Sequence, residues 1–409
     1  MSLIAYAGPF FALFIFLELW WDRRQGTGYY RLNDSVSSLS LGILSTGSKL
    51  VIFDLGALVL LTIGDRYGLL TISVADPLAW VVTFIAYDFL YYWFHRLSHE
   101  RQLFWGAHVA HHQSEEFNLT TALRQTSMSF FYSWLFFIPC FLMGVPGEMF
   151  FTVASVNLLY QFWVHTRHID RLGWFDHVFV SPSNHRVHHA RNVTYLDRNY
   201  GGVFILWDKW FGTFEDERKE LPVEFGIRKP LHSWNPLRAN LHIFQGMLQD
   251  MFATKGVARK LSVLTARTGW RPDDLPAIDL PETPAKYDPQ CTGFAKQYSL
   301  AALAAMYVWG SYYIFAFLTA TWMDRFAGLV FIVLVLLDAS CVLEAGERKE
   351  PAFTAWARRL GILILIAYLA YLAPPNSVLI VGSYVLLAAV FALAWCFLGR
   401  GGQNILAPT

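Results

Sequence analysis

Charge is scarce in this chain of 409 residues: only 15% are Asp, Glu, Lys or Arg, against about a quarter in an ordinary soluble domain. The formal net charge is +1, which gives no electrostatic footprint for nucleic acid. Cysteine is scarce too. Cys140, Cys291, Cys341 and Cys396 lie far apart with no CxxC pair, which excludes a disulfide framework and a thiolate metal site. There is no low-complexity tract, and no HPGG-type segment that would mark a built-in cytochrome b5 electron donor.

What is abundant is apolar length. Hydrophobic residues make up 55% and aromatics 17%, and several runs approach the roughly 20 residues a bilayer requires. We read spans over 3–21, 41–63 and 78–94, a broken apolar hairpin over 130–164 interrupted at Gly144-Val-Pro146-Gly147, and a C-terminal group over 298–321, 326–343, 360–372 and 378–398. The first run lacks a basic n-region and a small-residue cleavage site, so it reads as an uncleaved span. Arg23, Arg24, Arg96, Arg101, Arg124, Arg348, Lys349, Arg358, Arg359 and Arg400 follow span ends. Placing all of them in the cytoplasm satisfies the positive-inside rule. The expected fold is therefore all-α, a polytopic membrane protein with a histidine-rich di-metal helical domain on the cytoplasmic side. Three zones follow: N-terminal membrane helices over 1–94, a histidine-motif catalytic region over 95–290, and C-terminal membrane helices over 291–409. The stretch 215–290 is the most polar, and within it Arg271-Pro-Asp-Asp-Leu-Pro276 and Pro281-Glu-Thr-Pro284 read as a linker or surface loop.

Eleven of the thirteen histidines fall between 95 and 189. His95 and His99 are spaced i, i+4. His108, His111 and His112 are spaced i, i+3, i+4, and His185, His188 and His189 repeat that pattern. On a helix each set shares one face, so each motif aims its imidazoles one way. Neutral imidazole is the commonest protein metal ligand, and eight such residues exceed the three or four that one open site requires. Two metal ions follow. All-nitrogen ligation suits zinc, iron, copper or nickel, and the spacing does not choose among them. A lipid substrate with unreactive C–H bonds favours iron on context. Asp88, Tyr92, His95 and His99 form one polar stripe, and an acid at membrane depth is a functional candidate. We expect Asp88 either to orient a ligating imidazole or to make a helix-packing hydrogen bond. His165 and His168 stand at the end of the hairpin, equivalent by spacing. Glu100, Glu115 and Glu116 flank motifs as carboxylates that either support the metals or face solvent. His177, His232 and His242 are solitary and read as structural.

These motifs carry a resemblance. HRLSHE at 95–100, HVAHHQSEEFNLTTALRQ at 108–125 and HRVHH at 185–189 resemble the fatty acid hydroxylase / sterol desaturase superfamily of membrane di-iron oxygenases. YYWFHRLSHE, LLYQFWVHT, SPSNHRVHHARN and NYGGVFILWDKWFGTFEDE are similar to its alkylglycerol monooxygenase branch, over roughly residues 80–217. The resemblance implies two iron ions held by His95, His99, His108, His111, His112, His165, His185, His188 and His189, with Glu100 at a position important for activity. His168 does not sit on a ligand position. It also implies O2-dependent hydroxylation of a lipid at the carbon next to an ether oxygen, giving a fatty aldehyde and a glycerol derivative. Tetrahydrobiopterin, or a separate redox protein, would be the external electron donor. Asn184 departs from the branch, which often has histidine there. That loosens the substrate assignment and leaves hydroxylation or desaturation of a sterol, carotenoid, sphingolipid or ornithine lipid as the alternative. A metal transporter would spread its polar residues near the bilayer midplane, whereas here they cluster at helix ends. The location expected is the bacterial inner membrane or the endoplasmic reticulum.

Overall fold

The computed structural model describes residues 4–52, 54–278, 280, 284–316, 320–348 and 350–372. Among these the chain is helical. The only β contacts among the described residues are the isolated bridges Arg101–Arg267, Phe179–Phe204 and Ala190–Phe225. The expected span over 378–398, with Arg400 and Cys396, lies outside the described residues. The helices are α1 (Ile4–Gln25), α2 (Leu32–Ile52), α3 (Asp54–Tyr67), α4 (Pro77–Glu100), α5 (Gln102–Gly106), α6 (Val109–His112), α7 (Leu119–Ala122), α8 (Ile138–Leu142), α9 (Gly147–Trp163), α10 (Pro182–His188), α11 (Leu206–Trp210), α12 (Pro236–Ala253), α13 (Val257–Thr265), α14 (Gly293–Ala316), α15 (Trp322–Glu344) and α16 (Ala352–Leu372).

Two compact units are formed. One takes residues 1–30, 53–231 and 240–284, the other 31–52, 232–239 and the residues from 285 onward. In the second, α2 packs against α14 and α15, and α16 against α15, around Tyr298, Met306, Trp309, Phe331 and Ile362. Asp338 is buried in the middle of α15 and would be costly there unpaired. It is met by Arg358 at 2.8 Å, by Arg359 at 3.2 Å and by the Tyr298 hydroxyl. Trp322–Glu344 and Ala352–Leu369 are long and apolar enough to cross a membrane, and the pair Leu32–Val51 and Gly56–Tyr67 adds a third candidate if counted as one broken span. Helices α1 and α4, expected as spans, bury polar groups: Glu18 and Asp22 in the first, Asp88, His95 and His99 in the second.

The first unit is organised by α4. Its start is set by Asp76, whose side chain accepts from Leu78 N–H, with Pro77 at the first helical position, where a missing N–H costs nothing. The buried residues Thr83, Tyr87, Asp88, Tyr92, His95 and His99 form the i, i+4 stripe seen in the sequence, while Leu78, Val81, Val82 and Ile85 are exposed on the other side. Helix α9 runs beside α4 in the same direction: Thr83 meets Met149, Asp88 meets Asn157 and Tyr91 meets Gln161. Both helices therefore end together, and His95, His99 and His165 emerge at one place. The first arm of the expected hairpin is not a continuous helix. It consists of 3₁₀ turns over Ser129–Phe131 and Ser133–Phe137 followed by the short α8, where Pro139 fits only the first turn of a helix.

Candidate metal centre

The nine histidines converge in two groups. His95, His99, His108, His112 and His188 form one; His111, His165, His185 and His189 form the other. In each, one ring nitrogen per residue lies within 4.8 Å of every other, and all nine side chains are buried. The elements that present them are shorter than the sequence motifs suggest. α6 has four residues, with His108 as its N-cap, and α10 has seven, with His189 as its C-cap. α10 is started by Ser181 and Asn184 in a capping box, which gives Asn184 a structural role outside both groups. Arg186, on the same helix, belongs to neither histidine group and forms a buried, bidentate pair with Glu217 at 2.7–3.1 Å.

Backbone carbonyls set the tautomers. Nδ1–H of His95 donates to Tyr200 O at 2.8 Å, His111 to Arg124 O at 2.8 Å, His165 to Gln161 O at 2.7 Å and His188 to Arg198 O at 3.0 Å. A ring that donates from Nδ1 while neutral carries its lone pair on Nε2. The Nε2 atoms of His111 and His165 are 3.4 Å apart, and neither has a proton to give the other. The Nε2 atoms of His99, His188 and His189 and Nδ1 of His185 have no hydrogen-bond partner although buried, which normally costs about 1–3 kcal/mol each. Protonation does not relieve this. Burial pushes the His95 imidazole down to about 3 and that of His111 to about 4, and burial likewise holds His188 and His189 well below the usual histidine range. Inward-facing lone pairs on neutral, buried imidazoles fit a cation in each group.

Asp88 does not touch an imidazole. It accepts from Asn157 Nδ2, the backbone N–H groups of Val203 and Phe204, and Trp207 Nε1, at 2.7–3.0 Å, so it tethers a loop. The loop's glycines explain the close approach. A Cβ on Gly202 would stand 2.8 Å from both Asp88 Oδ1 and Tyr91 Cδ1, and one on Gly201 would stand 2.6 Å from Phe204 O. Replacing Gly202 by Ala should lower stability by about 1–3 kcal/mol through overpacking. Gly246→Ala, on α12 with nothing within 4 Å, should be neutral or slightly stabilising. Thermal unfolding of the two variants checks this contrast. Glu100 is ion-paired with Arg96 at 2.8 Å and lies 3.5 Å from Arg267. Glu115 and Glu116 are buried but belong to neither histidine group.

His168, equivalent to His165 by spacing, instead packs on Tyr29 at a ring distance of 4.9 Å and lies 3.8 Å from Asp22. Two supporting residues escape the sequence reading. Glu18 on α1 accepts from Leu119 N, Thr166 Oγ1 and the Tyr30 hydroxyl; an acid inside an apolar run was the available signal. Arg124, almost fully buried, donates to Ala110 O and Gln113 Oε1, while its carbonyl receives His111. A basic cavity of about 580 Å³, lined among others by Arg167, Arg171, Arg186 and Phe225, borders this region without including any of the nine histidines. Phe225 stacks on Phe117 at 4.9 Å, and Phe117 lies against His165 and His189.

The family model for fatty acid hydroxylase matches residues 80–213, the segment that carries both histidine groups. Alkylglycerol monooxygenase from Homo sapiens is 33% identical over 381 residues, covering 88% of this chain and 82% of that protein. The chain belongs to the alkylglycerol monooxygenase family. It is an oxidoreductase, a lipid monooxygenase of the fatty acid hydroxylase type, and a membrane protein. The alkylglycerol monooxygenase of Xenopus tropicalis is 36% identical over 289 residues, covering 68% of this chain and 64% of that protein. Ornithine lipid hydroxylase OlsE from Rhizobium tropici is more distant, 28% identical over 148 residues and 36% of this chain. No solved structure matches the chain.

Proposed function

We propose that the two histidine groups each hold one iron ion and that the enzyme hydroxylates the ether-linked carbon of an alkylglycerol. The observation that supports the metal reading most directly is the convergence of neutral, buried imidazoles whose proton-free nitrogens face one another. His95, His99, His108, His112 and His188 would hold one ion and His111, His165, His185 and His189 the other. Bound iron would supply O2 activation and the oxidising power needed to break an unreactive C–H bond.

The residues of the chain do the rest. The carbonyls of Tyr200, Arg124, Gln161 and Arg198 lock four imidazoles with Nε2 inward, and burial keeps bulk water from the nitrogens. One atom of O2 enters the C–H bond and the other leaves as water, with two electrons and two protons from an external reductant. Tetrahydrobiopterin or a separate redox protein is that reductant. The product, a hemiacetal, collapses to a fatty aldehyde and a glycerol derivative. The reading that the centre faces the cytoplasm is supported by Arg23 and Arg24, the basic pair that follows the first apolar run. A second reading, hydroxylation of another lipid at the same centre, rests on the segment shared with the ornithine lipid hydroxylase.

Purified protein should contain close to two irons per chain. It should release aldehyde from 1-alkylglycerol in the presence of O2 and tetrahydrobiopterin. Stoichiometric zinc with no O2-dependent turnover would overturn the oxygenase reading. Turnover of a total lipid extract but not of the ether would favour the second.

A further inference from the structure

The segment 199–208 contributes no histidine to either group, yet its Tyr200 carbonyl orients His95. It also lies at the end of a continuous polar chain. Asp208, fully buried on α11, accepts from the N–H groups of Tyr200 and Gly201 at 2.7 and 2.8 Å and from Thr213 Oγ1 at 2.7 Å. Thr213 in turn bonds the Tyr92 hydroxyl at 3.0 Å. That hydroxyl accepts from Arg96 at 3.1 Å, and Arg96 is paired with Glu100. Asp208 thus holds the N–H of the Tyr200–Gly201 peptide, whose carbonyl receives His95 Nδ1–H, and the N–H of the peptide before it. From the opposite side Asp88 holds Val203 and Phe204. Glycine at 201 is what lets the Asp208 carboxylate reach the backbone, since a Cβ there would lie 3.1 Å from its Oδ2.

We propose that Asp208 is a positioning residue for the five-histidine metal site, fixing the tautomer and orientation of His95 through the Tyr200 peptide. The proposal rests on the two-metal reading. Carboxylates usually orient a ligating histidine by direct contact; here the carboxylate acts one peptide away. Its three acceptor contacts leave no place for an amide: Asn at this position would set an NH₂ group against an N–H or a hydroxyl hydrogen. The effect is local to His95, because the four-histidine group is oriented by Arg124 and Gln161 carbonyls that Asp208 does not touch.

The test uses the full chain in detergent, loaded with iron or with cobalt(II) as a spectroscopic probe and titrated with a competing chelator. Asp208→Asn should weaken one of the two metals about 10–100-fold, shift the cobalt absorption of that site, and leave the other metal's affinity and spectrum unchanged. Thr213→Val, which removes one of the three contacts and keeps the backbone, should move the same site in the same direction by less. Asp176→Asn, at a buried acid that accepts from Leu172 N at 2.7 Å and lies in neither histidine group, should retain both metals. Wild-type affinity and spectrum at both sites in Asp208→Asn would overturn the proposal, as would an equal loss of both metals. Failure of the wild-type protein to bind two metals would instead overturn the metal reading itself.

Discussion

His188→Ala and His111→Ala should each abolish O2-dependent turnover and each change the metal content from two per chain towards one, while leaving the helical content of the protein in detergent largely intact. The two variants should differ in which ion is lost and how completely. His188 belongs to the group of five, so its removal leaves four nitrogens within 4.8 Å of one another. His111 belongs to the group of four, and three remain. Three protein ligands are the usual number at an open catalytic site, so both depleted sites still attract metal. The group that His111 leaves has less to spare, and the fall in affinity should be greater there. His111 also anchors the Arg124 carbonyl; its loss leaves that buried acceptor without its donor. Turnover should vanish in both because two-electron oxidation at a paired centre needs both ions. Metal analysis with a steady-state aldehyde assay decides it. Activity in either variant with both metals retained would remove that residue from the ligand set.

The same two groups show what the sequence made legible. The i, i+3, i+4 spacing brings the imidazoles of each motif to the centre whatever the length of its helix, and His108, His111 and His112 all reach it although α6 is a single turn. Spacing did not say that neighbours within a motif serve different groups. His111 sits with His165, and His112 with His99, because adjacent helix positions diverge by about 100° and the two groups lie on either side of α6 and α10. Nor could spacing separate His165 from His168. His165 follows the last turn of α9, where the Gln161 carbonyl is in reach. His168 comes three residues later in a turn that delivers it to Tyr29. The polar stripe on α4 marked Asp88 as buried and bonded, but two of its four partners are backbone N–H groups more than a hundred residues away, and backbone partners leave no trace in residue identity. The packing of α2 with helices beyond residue 285 is hidden for a similar reason: apolar faces such as those of Leu44 and Phe331 are interchangeable as sequence.

Acid should destabilise the metal-free protein steeply. Burial holds the imidazoles of His95 and His111 near 3 and 4, and those of the other seven also below their usual range, so the native state stays unprotonated at these positions as pH falls through 6.5. In the unfolded chain the same histidines titrate near 6.5. Below that pH the unfolded state binds protons that the native state refuses, so stability is present above about pH 6.5 and is lost as pH falls, by up to ~1.4 kcal/mol per pH unit for each histidine. With only three of the nine behaving this way, the loss between pH 6.5 and 5.5 is about 3 kcal/mol, since each unfolded-state histidine is half protonated at the start of that interval, a large part of the typical 5–15 kcal/mol margin. Metal shifts the balance, because a ligated nitrogen has no lone pair for a proton and binding stabilises the native state by mass action. The unfolding midpoint of the metal-free protein in detergent should therefore drop sharply between pH 7 and 5.5. That of the metal-loaded protein should hold over the same range and fall only where proton uptake releases the ions. Equal pH profiles for the two forms would mean that the nine imidazoles are not the ligands. A flat profile for the metal-free form would mean that they do not stay neutral when buried.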